Sequence, residues 1–307
     1  MSLPTFLVAG AMKSGTTAIY QYLIQHPEVY LSPDCKESRF LTGLSPETDP
    51  EICARIPVVT SLAAYSALFQ NAKPAQRIGE VDPWCLVLYD RAIPRIQQYL
   101  TAESRIIIFL RNPVDRAYSN YYQGARQEFM TRTFKQIIAD VESGHPVDWY
   151  ERLILEAGNY FEAIRAYLST FGTDRVKIIL YDEFRNAPMH IYKEICAFIE
   201  VDETFIPDMS YTANKGGIPR SKALHRFLTQ KTIVTQVLRP FAPVNFRRKL
   251  RYYLINRNLK TYPSLDTELR MLLTDYYRTD VEQLQQLLNR DLSGWLQLPL
   301  VEVTERV

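Results

Sequence analysis

The sequence has no run of apolar residues that approaches the roughly 18 needed to cross a bilayer as a helix. Its first residues also lack the basic stretch followed by an apolar segment that marks a secretory signal. We therefore expect a cytoplasmic protein without a membrane span.

Patterns typical of disulfides and of metal sites are also missing. The four cysteines and four histidines are scattered, without a Cys-x-x-Cys pair or the spacing of metal ligands. This distribution favours a reducing compartment and gives no indication of a metal site. The residues concerned are Cys35, Cys53, Cys85, Cys196, His26, His145, His190 and His225.

The overall charge does not favour nucleic acid as a partner. The net charge is only +2, so there is no general electrostatic attraction to a phosphate backbone. The contents of hydrophobic and charged residues, 47% and 23%, are ordinary for a globular protein. No repeat, low-complexity tract or linker-like change of composition occurs, and we expect a single domain spanning residues 1–307.

The N-terminal segment combines a buried strand, a glycine-containing loop and a helix. Residues 6–9 are apolar, residues 10–15 are mostly small, and apolar residues recur at helical spacing from Thr16 onward. Such a loop directs backbone N–H groups at an anion, and the dipole of the helix adds to the attraction. The hydroxyls of Ser14, Thr16 and Thr17 can donate further hydrogen bonds to the anion.

This loop differs from the standard loop of nucleotide triphosphatases. The spacing of Gly10 and Gly15 is right, but Thr16 stands where that motif has lysine. The lysine of this chain, Lys13, lies inside the loop and can still reach an anion. The alternative is a tight turn with a surface lysine, and the string Lys-Ser-Gly-Thr-Thr at 13–17 makes that alternative weaker.

A second strand-to-helix junction follows residues 105–110. Their sequence, Arg-Ile-Ile-Ile-Phe-Leu, is an unalternating apolar run typical of a central parallel strand. Asn112 is predicted as the N-cap and Pro113 as the first residue of the next helix. The junction carries Arg111 and Ser119, which suit an anion but also occur as a surface ion pair and a solvated helix residue.

The remaining pattern alternates strands with helices, which predicts an α/β fold. We expect a parallel sheet of the P-loop type with helices on both faces and a helical C-terminal portion. A basic loop at residues 214–222 precedes that portion. Further strands are predicted at 29–31, 77–81 and 176–181, and helices at 61–70, 86–100, 133–141, 153–171, 187–200, 223–237, 246–255 and 264–288.

Lys13 and Arg111 follow two predicted parallel strands, whose carboxyl ends are where open α/β sheets bind ligands. Two anion sites at one edge suit a nucleoside with phosphates at both ends. A P-loop kinase for a small molecule or nucleoside is an alternative, with Asp182 or Glu183 as magnesium ligand. The missing lysine after Gly15 weakens it. A non-catalytic nucleotide-binding module is a third interpretation.

These motifs resemble those of the sulfotransferases that use 3′-phosphoadenosine 5′-phosphosulfate (PAPS). Residues 13–17 resemble the 5′-phosphosulfate loop of that family, and residues 111–119 resemble its 3′-phosphate motif. The similarity covers essentially the whole chain and is closest to the branch that contains bacterial and heparan-sulfate-type enzymes. Further matching strings are Gly79-Glu80-x-x-Pro83, Gly158-x-Tyr160, Tyr181-Asp-Glu-Phe and Asp291-Leu-Ser-Gly-Trp295.

The resemblance implies transfer of a sulfuryl group from PAPS to an acceptor hydroxyl or amine, with release of 3′,5′-adenosine bisphosphate (PAP) and without a metal. It places Lys13 at the 5′-phosphate and the bridging oxygen, where a cation stabilises charge on the leaving group. It places Arg111 and Ser119 at the 3′-phosphate, a dianion that suits a guanidinium. It assigns Ser14, Gly15, Thr16 and Thr17 to the 5′-phosphate, and Lys215, Gly216, Gly217 and Arg220 to a basic loop over the nucleotide.

The same resemblance indicates Glu37 as the general base. Residues 36–40, Lys-Glu-Ser-Arg-Phe, resemble a segment of the heparan-sulfate-type branch in which a glutamate takes the acceptor proton. This chain departs from that segment with Arg39 where histidine is common and Leu41 for the second aromatic. The small-molecule branch instead uses a histidine between the two phosphate motifs, and this chain has none there apart from His26 at the end of the first helix. Second choices for the base are Glu80 and Asp82.

The acceptor stays open at this level. A small molecule, a lipid, a glycoside or a β-hydroxyacyl chain bound to a carrier all fit the resemblance, and the last would make an acyl carrier protein a partner. The aromatic pairs Trp149-Tyr150 and Tyr252-Tyr253 either line an acceptor pocket or belong to the core.

Overall fold

The centre of the protein is a parallel sheet of five strands. The computed structural model describes residues 2–210, 217–221, 224, 228, 254–255 and 257–298. The five strands are β1 (Phe6–Gly10), β2 (Val29–Leu31), β3 (Arg77–Val81), β4 (Arg105–Leu110) and β5 (Val176–Leu180), and a separate antiparallel pair consists of β6 (Ile218–Pro219) and β7 (Leu259–Lys260). Their order in the main sheet is β2-β3-β1-β4-β5, with every neighbouring pair parallel.

Helices cover both faces of this sheet, and alternate strand residues explain why. Phe6 and Val8 of β1 face one apolar core, while Leu7 and Ala9 face the other. In the part of the chain that the structure describes, the helices are α1 (Thr16–Leu23), α2 (Pro50–Cys53), α3 (Leu62–Ala67), α4 (Trp84–Val87), α5 (Tyr89–Tyr99), α6 (Pro113–Arg126), α7 (Phe134–Glu142), α8 (Trp149–Glu156), α9 (Phe161–Phe171), α10 (Tyr181–Asn186), α11 (Pro188–Phe198) and α12 (Thr267–Leu288). Within the described ranges no helix is long and apolar enough to cross a membrane.

The strand order creates a crevice between β1 and β4. These strands are neighbours, but the chain leaves β1 toward β2 at one edge of the sheet and leaves β4 toward β5 at the other edge. The loops after the two strands therefore diverge, and a ligand can enter between them at their carboxyl ends. Both predicted anion-binding junctions lie at this point.

The helix predicted at 153–171 is wrong, because α8 and α9 are separate helices. Gly158 lies between them, and a Cβ there would come within 2.8 Å of the Tyr277 ring. The carboxylate of Asp280 accepts hydrogen bonds from the backbone N–H groups of Tyr160 at 2.8 Å and Phe161 at 2.9 Å. Both partners belong to α12, more than 100 residues away, so the local pattern could not reveal the break.

The C-terminal portion is helical at α12, where the sequence predicts a helix at 264–288. The helices predicted at 223–237 and 246–255 lie almost entirely outside the described residues.

Gly79 provides a test of how tightly β3 packs on β1. It is the register partner of Phe6, and a Cβ on it would stand 2.0 Å from the Phe6 ring. We expect Gly79→Ala to lower the free energy of unfolding by about 1–3 kcal/mol or more, because a buried ring must move. Gly294→Ala is the matched control, since no atom lies within 4 Å of its added Cβ. Urea denaturation compares the two, and equal stabilities would contradict this packing.

Candidate functional site

The loop after β1 has the backbone form expected of an anion-binding turn. Lys13 and Gly15 both have positive φ, at 67° and 95°. A Cβ on Gly15 would meet the Phe184 ring at 3.0 Å in addition to its unfavourable φ, so glycine is required here. Ser14 is fully buried, and its Oγ has no hydrogen-bond partner among the described residues. A buried hydroxyl without a partner fits a phosphate seated on this loop.

Lys13 and Arg111 connect the two junctions directly. The Arg111 Nη1 donates a hydrogen bond to the Lys13 carbonyl at 3.0 Å. The Lys13 Nζ donates to the Gln123 Oε1 at 2.6 Å, which aims the ammonium group across the cleft toward α6. The Arg111 guanidinium lies over the Tyr181 ring, 4.8 Å from its centroid. These contacts fix two cations on opposite sides of the β1–β4 crevice.

Lys13 is held in an environment that disfavours its charge. Burial, followed by the positive charges of Arg126, Arg111 and Lys36, lowers the pKa of Lys13 to about 7. An anion bound beside Lys13 would reverse this effect by stabilising the ammonium form. The site is therefore electrostatically suited to a ligand that carries several negative charges.

Glu37 lies in the same cleft between two cations. Its Oε1 accepts from the Lys36 Nζ at 2.7 Å and its Oε2 from the Arg39 Nη2 at 2.8 Å. Burial acts to raise the pKa of Glu37, but Lys36 and Arg39 outweigh it and the pKa lies below its ordinary value. Lys36 also donates to the Thr17 Oγ1 at 3.3 Å, which ties this segment to the loop of Lys13. Glu37 is therefore ionised near neutral pH and able to accept a proton.

Two carboxyls anchor the segment that follows Glu37. Glu80 lies near the end of β3, and Asp82 directly follows that strand. Glu80 accepts hydrogen bonds from the hydroxyls of Ser38 and Tyr65, and Asp82 accepts from the Arg39 backbone N–H at 2.6 Å. Both carboxyls are buried and neither lines the cleft. They position the residues next to Glu37.

A cleft of about 750 Å³ joins these features. It is lined by most of the residues predicted from sequence, namely Lys13, Gly15, Thr16, Thr17, Glu37, Arg111, Ser119 and Gly217. Ser14 is buried within the loop, and Arg220 is exposed and does not line the cleft. Lys215, Gly216 and the Tyr252-Tyr253 pair lie outside the described residues.

The carboxylates that a kinase would need do not face this cleft. Asp182 pairs with Arg185 at 3.3 Å, and Glu183 pairs with Arg290. Neither lines the cleft beside Lys13. The structure therefore provides no support for Asp182 or Glu183 as a magnesium ligand there.

Sequence reasoning missed two residues of α6 that reach the cleft. Gln123 holds Lys13, and Arg126 is the neighbour whose charge most strongly lowers the pKa of Lys13. They follow Ser119 by four and seven positions, which places all three on one helix face. Extending the predicted helix from Ser119 at that spacing would have found both.

Comparison with known proteins identifies the family. The chain belongs to the sulfotransferase family, because the family's Sulfotransferase domain model matches residues 3–217. The chain is 28% identical to the mouse (Mus musculus) bifunctional heparan sulfate N-deacetylase/N-sulfotransferase 4, over 98% of this chain and 32% of that protein. It is 26% identical to the human (Homo sapiens) bifunctional heparan sulfate N-deacetylase/N-sulfotransferase 2, over 96% of this chain and 31% of that protein. The chain thus spans about a third of the length of these relatives.

A solved structure confirms the predicted fold class. The crystal structure of a sulfotransferase from Alicyclobacillus acidocaldarius matches with a TM-score of 0.70 and 26% identity, over 97% of this chain and 100% of that chain. The parallel sheet with helices on both faces and the helical C-terminal portion agree with the prediction.

The buried Glu80 should make stability depend on pH. Burial, followed by the charge of Asp82, raises the pKa of Glu80 above its ordinary value of 4.5. The folded state then holds this proton more tightly than the unfolded chain, so ionisation of Glu80 destabilises the folded state increasingly as pH rises from about 4.5 toward neutrality. Compared with Glu80→Gln, which does not titrate, the wild type should lose about 1 kcal/mol or more of relative stability between about pH 5 and about pH 7.5.

Urea denaturation of both proteins at the two pH values measures this loss. Glu103→Gln serves as the control, because Glu103 is exposed. If the free energies of unfolding of wild type and Glu80→Gln differ by the same amount at both pH values, Glu80 does not have the raised pKa.

Proposed function

We propose that this chain transfers the sulfuryl group of PAPS to an acceptor hydroxyl or amine and releases PAP. The observation that carries the proposal is the Arg111–Lys13 hydrogen bond, which joins the loops after β1 and β4 with one cation on each. Membership of the sulfotransferase family and the likeness to a solved sulfotransferase support it. The acceptor is a small molecule, a lipid, a glycoside or a carrier-bound β-hydroxyacyl chain, and a cytoplasmic location and an acyl carrier protein partner stay predictions.

The residues present fit such a donor. The loop of Lys13 and the N-terminus of α1 would hold the 5′-phosphate, together with the Ser14 Oγ, which has no hydrogen-bond partner among the described residues. Arg111 and Ser119 would hold the 3′-phosphate at the other junction. Gly217 lines the same cleft, which supports its assignment to the basic loop over the nucleotide. Lys215, Gly216 and Arg220 belong to the proposal on the resemblance alone.

Lys13 and Glu37 would act on the reacting atoms. The bond between sulfur and the bridging oxygen breaks, a bond from sulfur to the acceptor oxygen or nitrogen forms, and the acceptor proton passes to Glu37. Lys13 stabilises the charge that builds on the departing phosphate. Glu37 is ionised by Lys36 and Arg39, which keeps it ready to take the proton even though its pKa is low.

The donor specificity can be tested by titration calorimetry. We expect PAP to bind wild type tightly without magnesium, because Lys13 and Arg111 supply the positive charge. Arg111→Ala should weaken PAP about tenfold or more through loss of a charged hydrogen-bond pair. Arg152→Ala is a control on the exposed side of α8. Tighter binding of magnesium ATP than of PAP would contradict the proposal and favour the kinase.

Turnover should depend on Lys13 and Glu37 separately from donor binding. An acceptor is first identified by a mass-spectrometric screen with isotopically labelled donor. With that acceptor as substrate, Lys13→Ala and Glu37→Gln should each lower kcat by about 100-fold or more. Glu37→Gln should leave the affinity for PAP within about twofold of the wild-type value. The exposed Lys73→Ala and Glu103→Gln are matched controls. Near-normal kcat in Lys13→Ala, or a loss of PAP binding in Glu37→Gln equal to its loss of kcat, would overturn these roles.

A further inference from the structure

Arg126 is a cation in the cleft that the proposed donor chemistry does not use. It lines the cleft as the last residue of α6 and is partly buried there. No hydrogen bond or ion pair joins it to the residues that the structure describes. Burial lowers the pKa of Arg126, so its charge is held at a cost. A favourable position at a helix C-terminus explains an arginine at this point, but not why its side chain enters a cleft beside Lys13.

The charges around the cleft offer Arg126 no counterion. Among the lining residues that the structure describes, Glu37 alone carries a carboxylate. Lys36 and Arg39 already pair with its two oxygens. Lys13 is a neighbour whose positive charge repels that of Arg126. A negative charge for Arg126 must therefore come from a ligand or from outside the described residues.

The helix geometry places Arg126 at the acceptor end of the cleft. Ser119, Gln123 and Arg126 share one face of α6, and the helix rises about 10 Å from the first to the last. The proposed function assigns Ser119 to the 3′-phosphate and Lys13 to the sulfuryl group, and Gln123 holds Lys13 by a hydrogen bond. Arg126 lies beyond Gln123 at the last residue of α6, on the side away from Ser119.

An aromatic wall connects the general base to Arg126. Arg39, the partner of Glu37, lies over the Trp84 ring at 5.7 Å, and Trp84 lies 6.3 Å from Trp149. The ring centroids of Trp149 and Tyr150 are 5.4 Å apart, and Tyr150 lines the same cleft as Arg126. Of these rings, Trp84 and Tyr150 line the cleft and contribute apolar surface to its wall.

We propose that Arg126 binds an anionic group on the acceptor. This inference rests on the proposed function and names its substrate class: a molecule with an apolar body, a reacting hydroxyl or amine at one end and a carboxylate, phosphate or sulfate at the other. The reacting group lies at Lys13 and Glu37, the apolar body lies against Trp84 and Tyr150, and the anion pairs with the Arg126 guanidinium. Arg126 determines specificity in this account and does not take part in the chemistry.

The test uses two probes that differ in one charge, 4-hydroxyphenylacetate and its methyl ester. Titration calorimetry near pH 7.5 measures their binding to PAP-saturated protein. We expect the acid to bind wild type about tenfold or more tightly than the ester. Arg126→Gln should remove this preference and leave the affinity for the ester within about twofold. Arg126→Lys should retain part of the preference, and the exposed Arg152→Gln should retain all of it.

Three outcomes overturn the inference. The first is that the acid binds wild type no more tightly than the ester. The second is that neither probe binds at millimolar concentration. The third is that Arg126→Gln weakens the binding of PAPS relative to that of PAP, which would place Arg126 on the transferred sulfuryl group. Failure of wild type to bind PAP at all would instead contradict the proposed function, so the two failures are distinguishable.

Discussion

The hydrogen bond from the Arg111 guanidinium to the Lys13 carbonyl is the contact on which the arrangement of the site depends. It joins the loops after β1 and β4, whose chains leave the sheet in opposite directions. The Tyr160 hydroxyl donates to the Arg111 carbonyl at 2.9 Å, and Asp280 of α12 anchors the backbone N–H of Tyr160. The C-terminal helix thereby supports the separation of two cations without entering the cleft.

Repulsion between cations is the physical feature that links this geometry to function. Burial and the positive charges of Arg126, Arg111 and Lys36 lower the pKa of Lys13. Holding these groups together opposes folding, and an anionic ligand relieves the repulsion when it binds. Charges fixed in advance need no reorganisation when negative charge develops in a reaction, which is the usual basis of electrostatic catalysis.

The local sequence was sufficient to predict the structure wherever interactions between residues close in sequence determine it. The apolar run at 105–110 became β4, and the Asn112 side chain caps α6 by accepting from the Val114 N–H at 2.9 Å. Lys13, Glu37, Arg111 and Ser119 could be selected from their strings and lie in one cleft. The break between α8 and α9 could not be predicted, because its causes, Tyr277 and Asp280, are distant in sequence. The anchoring of the Glu37 segment by Glu80 also needed the fold, since a strand-end glutamate is equally compatible with a base.

The central claim is that Lys13 and Arg111 hold the two phosphates of one nucleotide across the β1–β4 crevice. A crystal structure of the protein with PAP tests it most directly. The account predicts the 5′-phosphate on the loop of residues 13–17 and the 3′-phosphate within hydrogen-bonding distance of the Arg111 guanidinium and the Ser119 hydroxyl. A nucleotide bound elsewhere, or with neither phosphate at these two junctions, would contradict it.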